Sequence, residues 1–170
     1  MSGLWRKITG FLGKTGKNQS PVDEIINLGD ETKIIIVLSE YISAKIKKLG
    51  YQNLTDLEKT FNYVYWLEAE VNNGGFNQYF FNSAGDYAQD TVKALQDIGA
   101  NYTAELLQQA MSIFSDKAPS PDRYKRQEQL EKIGEEGETF LYELDKKFYV
   151  YTDPIGTLLV DYVKKHIEHF

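Results

Sequence analysis

Two histidines, one inward-facing glutamate and one glycine-rich stretch hold most of the chemistry that this 170-residue chain can offer. His166 and His169 are three residues apart and share a helical face. A metal needs more ligands than that pair, and the sequence has no helical Glu-x-x-His partner. They read as the polar end of a terminal helix, and no metal site is expected. The absence of cysteine excludes disulfides, thiolate ligands and a cysteine nucleophile. There is no G-x-S-x-G elbow, no G-x-x-x-x-G-K-[ST] loop and no G-x-G-x-x-G fingerprint. These patterns assign no catalytic residue and no cofactor.

Glu68 falls among Leu57, Phe61, Val64 and Val71, on the inward face of a helix expected over residues 56–73. A buried carboxylate must be paired or hydrogen-bonded. It is either a tuned acid or base, or an acceptor for donors from the 74–85 turn. With no histidine or second inward acid beside it, the structural role is the expected one. Glu70 is expected to be exposed. The stretch N-N-G-G-F-N-Q-Y-F-F-N-S-A-G-D, residues 72–86, follows directly. Phe76, Tyr79 and Phe80 should share an inward face, and Gln78 and Asn82, one turn apart, another. Gly74 and Gly75 permit a tight corner between helices, and Gly85 a left-handed stop. Asn82 and Ser83 can bond free backbone groups there. Glycine amides at a helix start can hold an anion, but no Lys or Arg lies between Lys59 and Lys93. Glu68, Asn73, Gly74, Gly75, Phe76, Gln78, Asn82, Ser83 and Gly85 are therefore expected to form a hydrogen-bonded helix corner. The alternative is a small-ligand or enzymatic site at Glu68, Gln78 and Asn82.

The elements around this corner read as helices. Ile34, Ile35, Leu38, Ile42 and Ile46 stripe the segment 30–48, which ends in lysines and Gly50. Thr55-Asp56-Leu57-Glu58 is a capping box that opens the helix over 56–73. A short helix is expected from Gly75 to about Ser83, and Asp86 can cap the next, through Val92, Leu95 and Ile98 to Gly99. Others are expected over about 103–114, 122–133 and 138–147, with a proline loop at 116–121. Residues 148–151 fit either a short strand or a turn. Asp153, as cap, and Pro154 begin a last helix through Leu158, Leu159, Tyr162 and Val163. The expected fold is all-α, a compact single domain of about seven or eight helices.

Charge divides the chain unevenly. Residues 1–18 hold Arg6, Lys7, Lys14 and Lys17 and no acid, which gives +4. The other 15 bases and all 25 acids leave the remainder at −10. An acidic body repels a phosphate backbone, so no direct nucleic-acid binding is expected; a surface rich in carboxylates could instead attract a basic protein partner, or serve solubility alone. The longest apolar run, residues 34–38, is too short to span a bilayer, and the start of the chain lacks a signal-peptide block. A cytoplasmic location is expected. Residues 1–20 read as a basic amphipathic arm, with Leu4, Trp5, Ile8, Phe11 and Leu12 on one side, attached to a domain at 21–170. Residues 4–12 could support weak membrane binding or self-association, although Gly10, Gly13 and Gly16 weaken the arm as a helix.

The run from Glu68 through Asn73-Gly74-Gly75-Phe76-x-Gln78-Tyr79-Phe80-x-Asn82-Ser83-x-Gly85-Asp86 resembles the signature of a bacterial domain family. That family is named after a DNA-mimic protein, an acidic α-helical protein that binds a helix-turn-helix repressor in place of DNA. The resemblance implies an all-α fold over about 30–165. It also implies a non-enzymatic interaction role carried by surface carboxylates that lie outside the shared motif.

Overall fold

The computed structural model describes residues 20–114 and 118–170. The bases and the apolar stripe of the expected arm, residues 4–12 among them, fall outside the described residues, as does Asp116 of the proline loop.

Helices begin where side chains can satisfy free backbone amides. Ser20 and Asp23 form a capping box that opens α1, Pro21–Ile26, a helix not expected from the sequence. Asp30 accepts the Lys33 amide at 2.8 Å and opens α2, Glu31–Leu49. Its last turn carries Lys47 and Lys48, and Gly50 follows at φ 87°. Thr55 and Glu58 cap α3, Asp56–Phe81, reciprocally. A 3-10 turn, Ser83–Tyr87, leads into α4, Ala88–Ile98, which ends at left-handed Gly99. Then come α5, Asn101–Met111; α6, Arg123–Leu130, capped by Asp122; α7, Gly134–Phe148; and α8, Ile155–Lys165. The fold is all-α, with eight α-helices and no strand among the described residues.

The break between the helices expected over 56–73 and from Gly75 is where expected, at Gly74 and Gly75, and the two helices run on as the halves of the bent α3. Several other expected details are corrected. Asp86 does not cap α4. Its carboxylate is bound to Arg126, and α4 starts without a side-chain cap. Asp153 does not cap α8 with its side chain either. Its Oδ2 accepts the Thr103 amide at 2.7 Å and the Thr103 hydroxyl at 2.9 Å, serving the otherwise uncapped start of α5. The strand alternative at 148–151 gives way to a helical end and a turn, with Tyr151 at φ 54°. Finally, α7 starts at Gly134 rather than 138, because Gly134 takes the left-handed entry, φ 64°, that a larger residue resists.

The core gathers around α3, which contacts α2, α4, α6, α7 and α8. Phe61, Val64, Leu67 and Val71 recur at helical spacing on its buried face. Leu38 and Ile42 of α2, Leu95 of α4, Leu107 of α5 and Leu159 and Val163 of α8 are fully buried with them. Each such side chain contributes about 1.5–3 kcal/mol of burial. A carboxylate joins this interior: Glu58, wholly buried, accepts Lys45 Nζ at 2.7 Å as well as the Thr55 amide.

Candidate functional site

The bend in α3 exposes backbone groups that a straight helix would pair. Gly75 sits at φ 73°, in the region that glycine alone enters freely. Beyond it, the Phe76 amide lacks a helical acceptor and donates to Asp145 Oδ1 of α7 at 2.8 Å. A Cβ at position 75 would collide with that same carboxylate, whose carbon would lie 2.7 Å away. On the other side of the break, the Val71 carbonyl accepts the Tyr149 hydroxyl at 2.8 Å. Asp145 and Tyr149 are one helical turn apart, so the end of α7 clips both halves of the bend. Burial pushes the Asp145 carboxyl above its ordinary range, and its bond from the Phe76 amide partly opposes the shift.

Glu70 fastens the opposite side. Its Oε2 accepts Gln78 Nε2 at 2.6 Å and Asn82 Nδ2 at 2.8 Å. The expectation that Glu68 takes these donors, with Glu70 exposed, is thus reversed. Glu68 points elsewhere and accepts the Tyr151 hydroxyl at 3.0 Å; that hydroxyl in turn accepts Asn72 Nδ2. Burial raises the Glu68 carboxyl above its ordinary range; the Tyr151 bond opposes this, and the nearby Glu31 charge adds to it. Glu68, Gln78 and Asn82 therefore do not converge on one site.

The far end of α3 closes on α6. Arg126, 0 % exposed, donates to the carbonyls of Phe80 at 2.6 Å, Asn82 at 2.9 Å and Ser120 at 2.6 Å, and pairs with Asp86 at 2.6 Å. Gln127 and Arg123 add bonds to the Phe81 carbonyl. The bases missing between Lys59 and Lys93 thus arrive from a distant helix. Gly85 serves here by its lack of bulk and not by a left-handed turn: a Cβ would stand 2.8 Å from Arg126 Nε and 2.9 Å from the Tyr79 carbonyl. Phe76, Tyr79 and Phe80 are fully buried, as expected. Tyr79 donates to Thr91 at 3.0 Å. Asn73 and Ser83 are exposed, and Asn82 spends its side chain on Glu70 rather than on backbone.

Beside this corner lies a cleft of about 460 Å³. One wall is aromatic: Tyr51, Tyr63, Tyr87 and Trp66. Tyr51 stacks on Tyr87 with centroids 4.9 Å apart, and Tyr63 lies 5.1 Å from Tyr87. The opposite side is polar, with Glu70, Asn82, Ser83, Asp86 and Arg123. Tyr51 Oη is buried without a well-formed hydrogen bond. Burial raises the phenols of Tyr51, Tyr63 and Tyr87. Carboxylate charge adds to this, from Asp90 and Asp56 at Tyr63 and from Asp86 and Asp90 at Tyr87. No sequence pattern pointed to this cleft, because Tyr51, Trp66 and Tyr87 are apart in the chain. A second cleft of about 340 Å³ runs past Glu31, Ile35, Glu68 and Tyr151.

His166 Nδ1 lies 3.3 Å from the Tyr162 carbonyl, and His169 is exposed in the turn after α8. Among the described residues no three His, Cys, Asp or Glu side chains are grouped to hold a metal, and no helix is long and apolar enough to cross a membrane.

The model of one protein family, described as DMP19-like protein, matches residues 52–166. That span takes in the bent helix, the α6 clamp and the α7 clip, and leaves out α1 and α2. No curated protein and no solved structure matches the chain significantly.

Proposed function

We propose, from the premise that this chain belongs to the family of DMP19-like proteins, that it is a non-enzymatic interaction module whose carboxylates meet a basic, DNA-binding protein where DNA phosphates otherwise would. A transcription regulator in the bacterial cytoplasm is the fitting partner. The domain at 21–170 carries this role, and the arm at 1–20 is a separate appendage.

The observation that carries this reading is the acidic turn joining α6 to α7. Glu128, Glu131, Glu135, Glu136 and Glu138 are all exposed, and none belongs to an ion pair among the described residues. Lys132 is the one base among them. Carboxylates left unpaired on rigid helices keep their field for a partner, and a partner that evolved to bind DNA supplies the complementary sign. The corner at Glu70, Gln78 and Asn82 supports the same reading from the other direction. Gln78 and Asn82 spend their amides on Glu70 and close the fold there.

Competition measures the proposal directly. A helix-turn-helix repressor bound to labelled operator DNA is titrated with the full chain across a salt series. Displacement that weakens steeply with salt is expected. No displacement, or displacement insensitive to salt, would overturn the reading.

A further inference from the structure

We infer that the aromatic cleft between α3 and the 83–87 turn is a socket for an arginine side chain projecting from a basic protein partner. The inference rests on the interaction reading above and adds to it a specific anchor.

The walls select the ligand. Tyr51, Tyr63, Tyr87 and Trp66 line the cleft, with Tyr51 and Tyr87 stacked on each other, and Trp66 remains 41 % exposed. Ring faces attract cations and repel anions. Two carboxylates on the polar side each keep an oxygen unbonded: Glu70, in no ion pair among the described residues, uses only Oε2, and Asp86, paired with Arg126, uses only Oδ1. Asp90 adds negative charge near Tyr63 and Tyr87. An anionic ligand would face Glu70 and Asp86. A neutral apolar one would strip them of water without replacing its bonds. The lining cation, Arg123, keeps its charge but directs its donors away from the carboxylates: its Nε donates to the Phe81 carbonyl at 3.2 Å, its Nη2 reaches Asn82 Oδ1 at 3.4 Å, and its guanidinium lies over the Phe81 ring. A planar guanidinium both stacks on rings and forks to carboxylates, which an ammonium cannot do. The exposed Trp66 and Ser83 leave the cleft open to a side chain carried on another surface, and the −10 body favours a basic one.

The test uses the full chain with Trp5→Phe, so that Trp66 is the one remaining tryptophan. Its fluorescence is titrated with the peptides Gly-Arg-Gly, Gly-Lys-Gly and Gly-citrulline-Gly, with free arginine and with inorganic phosphate. The arginine peptide is expected to shift Trp66 emission and to bind about tenfold more tightly than the citrulline peptide. In a label-free assay, Trp66→Ala and the exposed change Asp90→Asn should each weaken arginine-peptide binding several-fold, while Arg123→Gln should not weaken it. Equal binding of the citrulline peptide, or of phosphate, would overturn the socket. So would free arginine binding as well as the peptide with no further gain on a folded basic protein. If repressor binding is lost on removing the α6–α7 acids but unchanged by Trp66→Ala and Asp90→Asn, the socket falls and the interaction reading stands. Selective arginine-peptide binding without any repressor binding would uphold the socket and overturn the repressor as its partner.

Discussion

Asp145 accepts the Phe76 amide at 2.8 Å across 69 residues of sequence, in the space that any side chain on Gly75 would need. Gly75→Ala therefore meets both a left-handed φ and a carboxylate. It should cost at least about 2 kcal/mol, more than conformational strain alone. Asp145→Ala leaves the amide without its acceptor and should cost about 1–2 kcal/mol, like the loss of a helix cap. Urea unfolding checks both. The double variant should lose less than the two losses added, because the side chain at 75 no longer meets the carboxylate.

Arg126→Met should be among the most damaging changes in the domain, at about 3–5 kcal/mol. It strands Asp86 and leaves the carbonyls of Phe80, Asn82 and Ser120 without their donor. Lysine supplies the charge without the fork, so Arg126→Lys should recover little. A near-neutral thermal midpoint for the methionine variant would contradict the clamp.

Glu70, and not Glu68, should be coupled to Asn82. A double-mutant cycle on Glu70 and Asn82 is expected to show about 0.5–2 kcal/mol of interaction, and one on Glu68 and Asn82 almost none. The reverse result would restore Glu68 to the corner.

Why the sequence pointed to the wrong glutamate follows from the bend. Helical phase before residue 74 sets Glu68 beside Phe61 and Val64, and counting on from there carries Gln78 and Asn82 past it. Gly75 at φ 73° resets that phase and swings both amides back to Glu70. Local signals survived intact: the Thr55–Glu58 box, Asp30, Gly50 and Gly99 all act within a few residues of themselves. The buried row Phe76, Tyr79 and Phe80 was equally legible from spacing. What could not be read were partners from other helices. Asp145, Tyr149 and Arg126 are ordinary surface-type residues by composition, and only tertiary contact gives them their roles. Asp86 and Asp153 look like caps for the helices that follow them, yet Arg126 and Thr103 claim their carboxylates.

The pH dependence of stability should carry an unusual component. Burial raises the folded-state carboxyls of Glu68 and Asp145 above their ordinary values of 4.5 and 3.8. Each group therefore binds its proton more tightly when folded. Its contribution to stability is full below the ordinary value and is lost as pH rises from there through the folded value. Glu68→Gln should accordingly gain on the unmodified chain between about pH 4 and neutrality. Thermal midpoints measured across that range check the sign, and a difference that shrinks with rising pH would refute it.

Replacing Glu135, Glu136 and Glu138 together by glutamine should cost no more than about 0.5–1.5 kcal/mol, since the three are exposed and outside any ion pair among the described residues, and Glu135 and Glu136 lose only their interaction with the first turn of α7. Repressor displacement should weaken and its salt dependence flatten. Unaltered displacement by this variant would move the binding face elsewhere.

The clip from α7 also sets an order of events. Phe76 and Val71 wait for partners about 70 positions later, so while only the first half of the chain exists the bend has its Glu70 bonds but not its α7 clip. The Phe76 amide of a nascent chain stays without its acceptor until α7 has emerged and docked, and a contact of such sequence separation carries a larger loop-closure cost than the local Glu70 bonds. Protection of the Phe76 amide during refolding should appear with the docking of α7 and not with the formation of α3. Protection that precedes α7 would show that the bend is intrinsic to the glycines.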